Sequence, residues 1–176
     1  MIASQPVATA VGKVRAHDMV GVEFDDLYRR EFPKLLRIAT ALCGRRDLGE
    51  ELVQDAMMKV LARWSTVREY DKPEAYCRRV LINATIGMRR RQRWERRALT
   101  RDGGGQSSAL PPEADEFWSL VRALPARQMQ VIVLYYADDR AVSDIASVLG
   151  VAEGTVRATL HQARESLRTQ IEGGAK

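Results

Sequence analysis

Apolar residues recur at intervals of three and four along most of the chain, which is the period of an amphipathic helix. This spacing predicts one helix over residues 24–43, which Gly44 can end, and a second over residues 47–64. Asp47, with Glu50 three residues later, is the expected N-cap of the second helix. No strand-like alternation of useful length occurs, so the sequence predicts an all-α fold.

A third helix is expected from Pro73 to about Arg97, because proline is tolerated in the first turn of a helix. The composition then changes to Gly, Ser, Gln and a pair of prolines, which is typical of a flexible linker. Four shorter helical patterns follow, at residues 117–124, 126–137, 142–149 and 153–170. The predicted layout is a loose N-terminal extension, a helical domain, a linker and a second helical domain, at residues 1–22, 23–100, 101–112 and 113–176.

Charge is distributed unevenly along the 176 residues, which carry a formal net charge of +5. Residues 23–101 hold 19 basic and 12 acidic groups, whereas residues 102–176 hold 7 and 10. The stretch 78–101 alone has nine arginines against the single acid Glu95. A solvated helix face usually mixes acids with its bases, so this stretch favours contact with the phosphates of a nucleic acid.

Several classes of function are disfavoured by the composition. Two cysteines, Cys43 and Cys77, cannot build a disulfide-rich secreted fold, and both lie on apolar helical stripes where a buried thiol is expected. No apolar run reaches the roughly 18 residues of a membrane span, and the first 22 residues do not have the pattern of a signal peptide. His17 and His161 lie far apart and no metal spacing exists, so we expect no enzyme, metal or cofactor.

The third helix has two faces when its residues are placed about 100° apart. Arginines occupy one broad side, with Asn83 at its border: Arg78, Arg79, Arg89, Arg90, Arg93, Arg96 and Arg97. An apolar arc, suited to a core, holds Tyr76, Cys77, Val80, Leu81, Ala84 and Met88. Ile82 and Ile86 fall inside the basic side, where they either cover a neighbouring helix or meet unstacked bases. An arginine face with one amide at its edge suits phosphate binding plus limited base contact.

Residues 143–164 have the pattern of a helix-turn-helix, in which the second helix enters the major groove. Gly150 can take the positive φ of the sharp turn. The positions expected to face inward are Ile145, Ala146, Leu149, Val156, Leu160 and Ala163. Those expected to be exposed on the second helix are Glu153, Thr155, Arg157, Ala158, Thr159, His161, Gln162 and Arg164. A purely structural helical hairpin is the alternative.

Three stretches of this sequence, which include the second helix, the arginine-rich third helix and the helix-turn-helix, resemble extracytoplasmic-function sigma factors of the bacterial sigma-70 family. The actinobacterial sigma-E-like members are the most similar group. The run DLGEELVQDAMMKVLARW resembles the family's segment that docks on the clamp helices of the largest polymerase subunit. PEAYCRRVLINATIGMRRRQRWERR resembles its helix that melts and reads the −10 element. The run from Leu124 to Arg168 resembles its −35-binding domain, which also contacts the flap of the second-largest subunit.

The resemblance implies an alternative sigma factor that binds core RNA polymerase and promoter DNA in the cytoplasm. The implied polymerase contacts are Glu51, Leu52, Gln54, Asp55 and Met58. The implied −10 contacts are Tyr70, Arg78, Arg79, Asn83, Arg89, Arg90, Arg93 and Arg97, with the loop 65–72 receiving a flipped base. The implied −35 contacts are Glu153, Thr155, Arg157, Thr159, His161 and Arg164. Some members of the family are held by an anti-sigma factor, which makes such a protein a candidate partner.

Departures from the family pattern affect the second domain. Ala141 and Ala152 stand where the family commonly has serine N-caps, each worth about 1 kcal/mol. Ala158-Thr159 and Gln162 replace positions that often carry arginine or serine. We therefore expect weak binding of −35 DNA by this domain alone. A free-standing helix-turn-helix regulator and a helix-bundle interaction protein are the alternative functions.

Overall fold

The computed structural model describes the backbone of residues 9–98 and 112–174, and the side chains of residues 23–88 and 116–173. These parts of the chain form eight helices and contain no strand, as the all-α prediction requires. In chain order the helices are α1 (Thr9–Cys43), α2 (Arg46–Leu61), α3 (Trp64–Val67), α4 (Pro73–Ala98), α5 (Pro112–Ala123), α6 (Ala126–Tyr136), α7 (Val142–Leu149) and α8 (Glu153–Gly174).

The first helix begins earlier than the apolar pattern indicates. The pattern predicts a start at residue 24, whereas α1 begins at Thr9 and takes in part of the segment expected to be a loose extension. Once a helix is nucleated, each added residue costs little, so residues without an inward-facing stripe can prolong it. Residues 1–8, like most of the predicted linker, lie outside the described residues.

The turn glycines have the expected backbone conformation. Gly44 follows α1 with φ +76°, and Gly150 follows α7 with φ +65°. This left-handed region is accessible to glycine without a steric cost from Cβ, and it ends a helix sharply. The turn after Gly150 is closed by the amide of Val151, which donates to the Ala146 carbonyl at 3.0 Å. The short turn of the predicted helix-turn-helix is therefore present between α7 and α8.

The predicted N-cap of α2 is wrong. The helix begins at Arg46 with Arg45 in the N-cap position, and no side chain caps it. Asp47 lies inside the first turn, where its Oδ1 accepts a hydrogen bond from Arg45 Nε at 3.1 Å. Glu50 pairs with Arg46 at 3.0 Å instead of returning to the cap. Arg45 and Arg46 at the start of the helix thus form ion pairs with both carboxylates. A capping pattern read from the sequence does not include this competition.

The N-terminal half, α1–α4, packs around the inner faces of α1, α2 and α4. Its fully buried side chains include Leu35, Ile38, Leu42, Val53, Met57, Val60 and Leu81. The helices α1 and α2 approach closely at Gly49, where a Cβ atom would lie 3.1 Å from Thr40 Oγ1. A side chain at this position would therefore require Thr40 to shift by a few tenths of an ångström.

The C-terminal half, α5–α8, buries Val121, Ile132, Leu134, Ile145, Val156, Leu160 and Ala163. It is packed against the N-terminal half: α1 contacts α5 and α6, and α4 contacts α7. The buried apolar residues of both halves belong to one continuous cluster. The sequence predicts two separate domains, and the tertiary structure brings them together along α4 and α7.

Candidate nucleic-acid and polymerase interfaces

The buried face of α4 is centred on Arg78, which the helical wheel had placed on the basic side. Its buried residues are Cys77, Arg78, Leu81, Ile82 and Thr85. All of them lie within about 100° of Arg78 around the helix axis. Ile82 is 1% exposed, and Ile86 packs partly buried against the core, so both cover neighbouring helices. The alternative that these isoleucines meet unstacked bases does not hold in this structure.

Arg78 is 0% exposed and joins the two halves of the chain. Its Nε and Nη2 donate to the two carboxylate oxygens of Asp138, at 2.5 and 3.2 Å. Its Nη1 donates to Glu31 Oε2 at 2.9 Å and to the Glu74 carbonyl at 3.0 Å. Arg140 makes a further bond to Asp138 at 2.9 Å. We call Glu31, Arg78, Asp138 and Arg140 the ion cluster.

Two members of the ion cluster, Glu31 and Arg78, are held in their charged forms. Burial raises the pKa of Glu31, but a hydrogen bond from Lys34 and the charge of Arg78 outweigh it and hold that pKa below its ordinary value. Burial lowers the pKa of Arg78, but hydrogen bonding and charge from Asp138 outweigh it and raise that pKa further. A buried charge is tolerated only when it is paired in this way.

The expectation that Arg78 contacts DNA is therefore corrected. Its guanidinium is fully buried and its donors are occupied by two carboxylates and a carbonyl. Sequence reasoning missed Asp138, which is 60 residues away and has no local signal of a partner on α4. The helical wheel also gave the wrong buried face because arginine was assumed to be exposed, although an arginine that is paired with acids can lie in the middle of a core.

Arg79 is exposed, yet it also reaches the other half. Its Nη2 donates to the Ser147 carbonyl at 2.7 Å and its Nε to the Val148 carbonyl at 3.1 Å. Both carbonyls belong to the last turn of α7, where a cation is favoured by unsatisfied acceptors and by the helix dipole. In this arrangement the arginine binds the C-terminal end of α7.

The remaining −10 candidates divide into two groups. Asn83 is exposed, and Tyr70 is 44% exposed. The Tyr70 ring lies edge-on against Tyr76, with centroids 5.6 Å apart. This geometry fits both a base-stacking role and the anchoring of the 65–72 loop. The side chains of the other arginine candidates lie outside the described residues: Arg89, Arg90, Arg93 and Arg97.

The solvent face of α2 carries the predicted polymerase contacts. Glu51, Gln54 and Asp55 are exposed, and Met58 is 65% exposed. Leu52 is half-buried against the core, so only part of its side chain is available to a partner.

Leu61 adds to this face, since it is 42% exposed and lies one turn after Met58. Leu61 is also one of the apolar residues whose spacing predicts the helix over residues 47–64, so that pattern alone would place it inward. The sequence signal that could have identified Leu61 is its position three residues after Met58, which puts both side chains on the same side of the helix.

The exposed side of α8 differs from the prediction at one residue. Glu153, Thr155, Arg157, His161 and Arg164 are exposed. Thr159 is 9% exposed, and its hydroxyl donates to the Thr155 carbonyl at 2.7 Å. Thr159 is therefore corrected from a DNA contact to an inward-facing residue, because it lies on the border of the face that packs on α6 and α7.

Arg164 is oriented by aromatic residues at the end of α6. Its Nε donates to the Tyr136 hydroxyl at 3.0 Å, and its guanidinium carbon lies 5.2 Å from the Tyr135 ring centroid. Tyr136 is 49% exposed. Sequence reasoning did not identify either tyrosine, because no spacing connects the end of α6 with the middle of α8.

Two sequence profiles match this chain. Sigma-70 region 2 matches residues 27–95, and Sigma-70, region 4 matches residues 114–167. The RNA polymerase sigma-E factor of Streptomyces coelicolor is 29% identical over 158 residues, covering 85% of this chain and 86% of that protein. The ECF RNA polymerase sigma factor SigE of Mycolicibacterium smegmatis is 26% identical, covering 95% of this chain and 68% of that protein.

The chain belongs to the extracytoplasmic-function sigma factors of the sigma-70 family. Within that group it is similar to the actinobacterial sigma-E factors. A solved structure with the same fold is the sigma factor RpoE of Bartonella quintana in complex with the anti-sigma factor NepR. It superposes with a TM-score of 0.68 at 24% identity, covering 85% of this chain and 97% of that chain.

As a sigma factor, the protein directs promoter-specific transcription initiation. Sigma factors are non-catalytic initiation factors. The free-standing regulator is not favoured, because region 2 accounts for α1–α4, which that alternative leaves unexplained. In this sigma factor the ion cluster therefore connects region 2, through Glu31 and Arg78, with region 4, through Asp138.

The two cysteines of the sigma factor lie in different settings. Cys77 is buried, and burial raises the pKa of its thiol to about 12, which disfavours the reactive thiolate. Cys43 is half-buried at the end of α1. Among the described residues, no group of His, Cys, Asp and Glu side chains could hold a metal ion. Over the same residues, no helix combines the length and apolarity that crossing a bilayer requires.

Proposed function

We propose that this sigma factor uses three separate surfaces: α2 for core RNA polymerase, α4 with the 65–72 loop for the −10 element, and α8 for the −35 element. The observation that carries the proposal is the exposure of all candidate residues on α2 and α8 except Leu52 and Thr159, in a chain that matches sigma regions 2 and 4 in order. Because the polymerase and promoter DNA are cytoplasmic, the protein would act in the cytoplasm. As a sigma factor, it would have no catalytic role of its own.

The polymerase surface combines acids and an amide with apolar side chains. Glu51, Gln54 and Asp55 would form polar contacts with the clamp helices of the largest subunit. Met58 and Leu61 would supply the apolar contact, since large exposed apolar side chains on a charged helix are typical of a protein interface. Region 4 would make the second polymerase contact, at the flap of the second-largest subunit.

The −10 surface would hold phosphates with arginines and read one base. Asn83 has the donors and acceptors to read an unpaired base, and Tyr70 has a ring on which a base can stack. The phosphate ligands would be Arg79, Arg89, Arg90, Arg93 and Arg97. If each of these five arginines neutralises one phosphate, the log of affinity falls with the log of salt concentration at a slope of about −4.5.

The −35 surface would bind weakly without the polymerase. Thr159 faces inward, and Arg157 is paired with Glu153 at 2.6 Å. Arg164 is held by Tyr136 and remains exposed, so it is the best placed phosphate ligand on α8. Thr155 and His161 would contribute smaller contacts.

An anti-sigma factor is a further candidate partner. The Bartonella quintana relative was solved in complex with one. A protein that binds both regions of this chain would compete with polymerase for α2 and with DNA for α4.

Run-off transcription with core polymerase tests the proposed function. Core enzyme of Streptomyces coelicolor, with a fragment library of the protein's own genome, should yield transcripts whose starts share two upstream motifs, near −10 and −35. Core enzyme alone is the control. The absence of motif-linked transcripts from a core that is active with its housekeeping factor would overturn the proposal.

A further inference from the structure

Region 4 covers part of the −10 surface in this structure. Three contacts along α4 and the preceding loop make the junction: Arg78 with Asp138, Arg79 with the last carbonyls of α7, and Lys72 with Asp144 at 2.9 Å. In every pair the cation belongs to region 2 and the anion or carbonyl acceptor to region 4. Region 4 thus offers oxygen acceptors to cations on the helix that would otherwise meet DNA phosphates.

The contact also excludes DNA sterically. The helix α7, which is the first helix of the helix-turn-helix, packs directly on α4. A strand of DNA cannot reach the donors of Arg79 while the Ser147 and Val148 carbonyls accept from them at 2.7 and 3.1 Å. Binding at the −10 surface therefore requires α7 to move away from α4.

The junction is built so that it can open. Its cavity of about 80 Å³ is lined mainly by polar and charged side chains, among them Lys72, Glu74, Arg140 and Asp144. A polar space of this size admits water, so the junction is not a dry core. Charged groups taken out of water regain hydration on separation, which offsets much of the attraction lost. Arg78 retains Glu31 and the Glu74 carbonyl within region 2 when Asp138 leaves.

We propose that the Arg78–Asp138 pair is an autoinhibitory lock, which holds region 4 against α4 and keeps the −10 surface from DNA until the two regions separate. The inference rests on the proposed function, since it takes α4 as the −10 helix. A chain locked in this way binds DNA with an affinity reduced by the fraction of molecules that are open. Asp138 is thus a regulatory residue, and Arg78 acts in closure instead of in DNA contact.

Zero-length crosslinking with a carbodiimide tests closure in solution without DNA or polymerase. The full chain at low concentration should form a Lys72–Asp144 amide, detected in the monomer band by peptide mass spectrometry. The same chain unfolded in urea provides the control, since it keeps both residues but loses the closed junction. A yield of this amide that is no higher in the folded chain than in the unfolded chain would overturn the proposal.

The matched substitutions Asp138→Asn and Asp139→Asn test the lock itself. Both change the net charge by the same amount, but Asp139 is exposed and has φ +51°, a conformation that asparagine accepts readily. Asp138→Asn should lose the Lys72–Asp144 amide, whereas Asp139→Asn should keep it. It should also bind a fluorescein-labelled pool of random single-stranded 30-mers about tenfold more tightly than Asp139→Asn.

Equal binding by these two variants would overturn the lock. If Asp138→Asn fails to fold by circular dichroism, Asp144→Asn replaces it, because Asp144 lies at the edge of the junction and pairs with the exposed Lys72. Asp144→Asn should bind the DNA pool more tightly than Asp139→Asn, by a smaller factor, and equal binding would again contradict the proposal. The crosslinking result stands even if transcription fails, so a failed lock and a failed function are distinguishable.

Discussion

The helices α4 and α8 both carry arginines that the sequence assigned to DNA, and the fold treats them in opposite ways. Arg78 on α4 is 0% exposed and paired with two carboxylates, whereas Arg164 on α8 is exposed and rests on two tyrosines. The residue type is the same, so its role depends on what the rest of the chain brings to it. An arginine near acids from other elements becomes part of the core, and one near aromatic rings is oriented at the surface.

The largest expected effect comes from removing each arginine in turn. Arg78→Met leaves Glu31 and Asp138 buried without the cation that pairs with both, so the free energy of unfolding should fall by about 3–5 kcal/mol. Arg164→Met removes only surface contacts and should cost less than about 1 kcal/mol. Urea denaturation followed by tryptophan fluorescence measures both. Similar losses for the two variants would remove the contrast between α4 and α8.

The exposed apolar residues of the two halves provide the next test. Met58→Glu should weaken binding to core polymerase by about tenfold or more, because a charge would replace an apolar contact at the interface. Its matched control is Ile171→Glu on α8, where the side chain is 54% exposed and has no assigned partner. Neither variant should change the free energy of unfolding by more than about 0.5 kcal/mol. Equal loss of polymerase binding would contradict the assignment of α2.

The pH dependence of stability tests the buried ion cluster around Arg78 on α4. The pKa of Glu31 is lowered in the folded state, so its contribution is present above the ordinary glutamate range and is lost as pH falls through the folded pKa. Wild-type stability should therefore decrease on acidification below about pH 4.3, the ordinary value. In Glu31→Gln the decrease should be shallower, as measured by urea denaturation at several pH values. An unchanged slope would mean that Glu31 is not tied to Arg78.

The smallest effects on stability and DNA affinity are expected on α8, where Thr159, a predicted DNA contact, faces inward. Thr159→Val removes the hydroxyl bond to the Thr155 carbonyl and should cost about 0.5–1.5 kcal/mol of stability. It should leave the affinity of the holoenzyme for promoter DNA unchanged. Arg157→Ala, on the exposed face, should lower that affinity about two- to fivefold, since it removes a cation that can exchange Glu153 for one DNA phosphate. A loss of affinity in Thr159→Val would restore Thr159 as a DNA contact.

Much of the helical layout was predictable because it depends on short spacings. The start of α4 at Pro73, the turns at Gly44 and Gly150 and the full extent of α7 all follow from residues within one or two helical turns. The start of α1 was predicted too late, since helix propagation needs no inward stripe. The cap of α2 was missed because Arg45 and Arg46 engage the acids that the capping pattern requires.

The candidate surfaces were predictable to different degrees. On α2, four of the five contacts that the family resemblance implies are exposed and Leu52 is half-buried, because residues three and four apart share one side of a helix. On α4, the apolar arc predicted from the helical wheel and the face that is actually buried point in different directions. The difference arises because Arg78, which was assigned to the exposed side, lies at the centre of the buried face. Leu61 and Tyr136 were not identified, as their exposure depends on which neighbouring helices cover them.

By itself, the sequence determined the all-α fold, the order of its helices, the helix-turn-helix and the membership of the sigma-factor family. These properties rest on local periodicity, turn residues and contiguous motifs, all of which are written within short stretches of chain. Only the tertiary structure decided that Asp138 meets Arg78 and that α7 lies on α4. The physical reason is that an ion pair between residues 60 positions apart leaves no periodic trace, since its energy arises only when folding removes both charges from water.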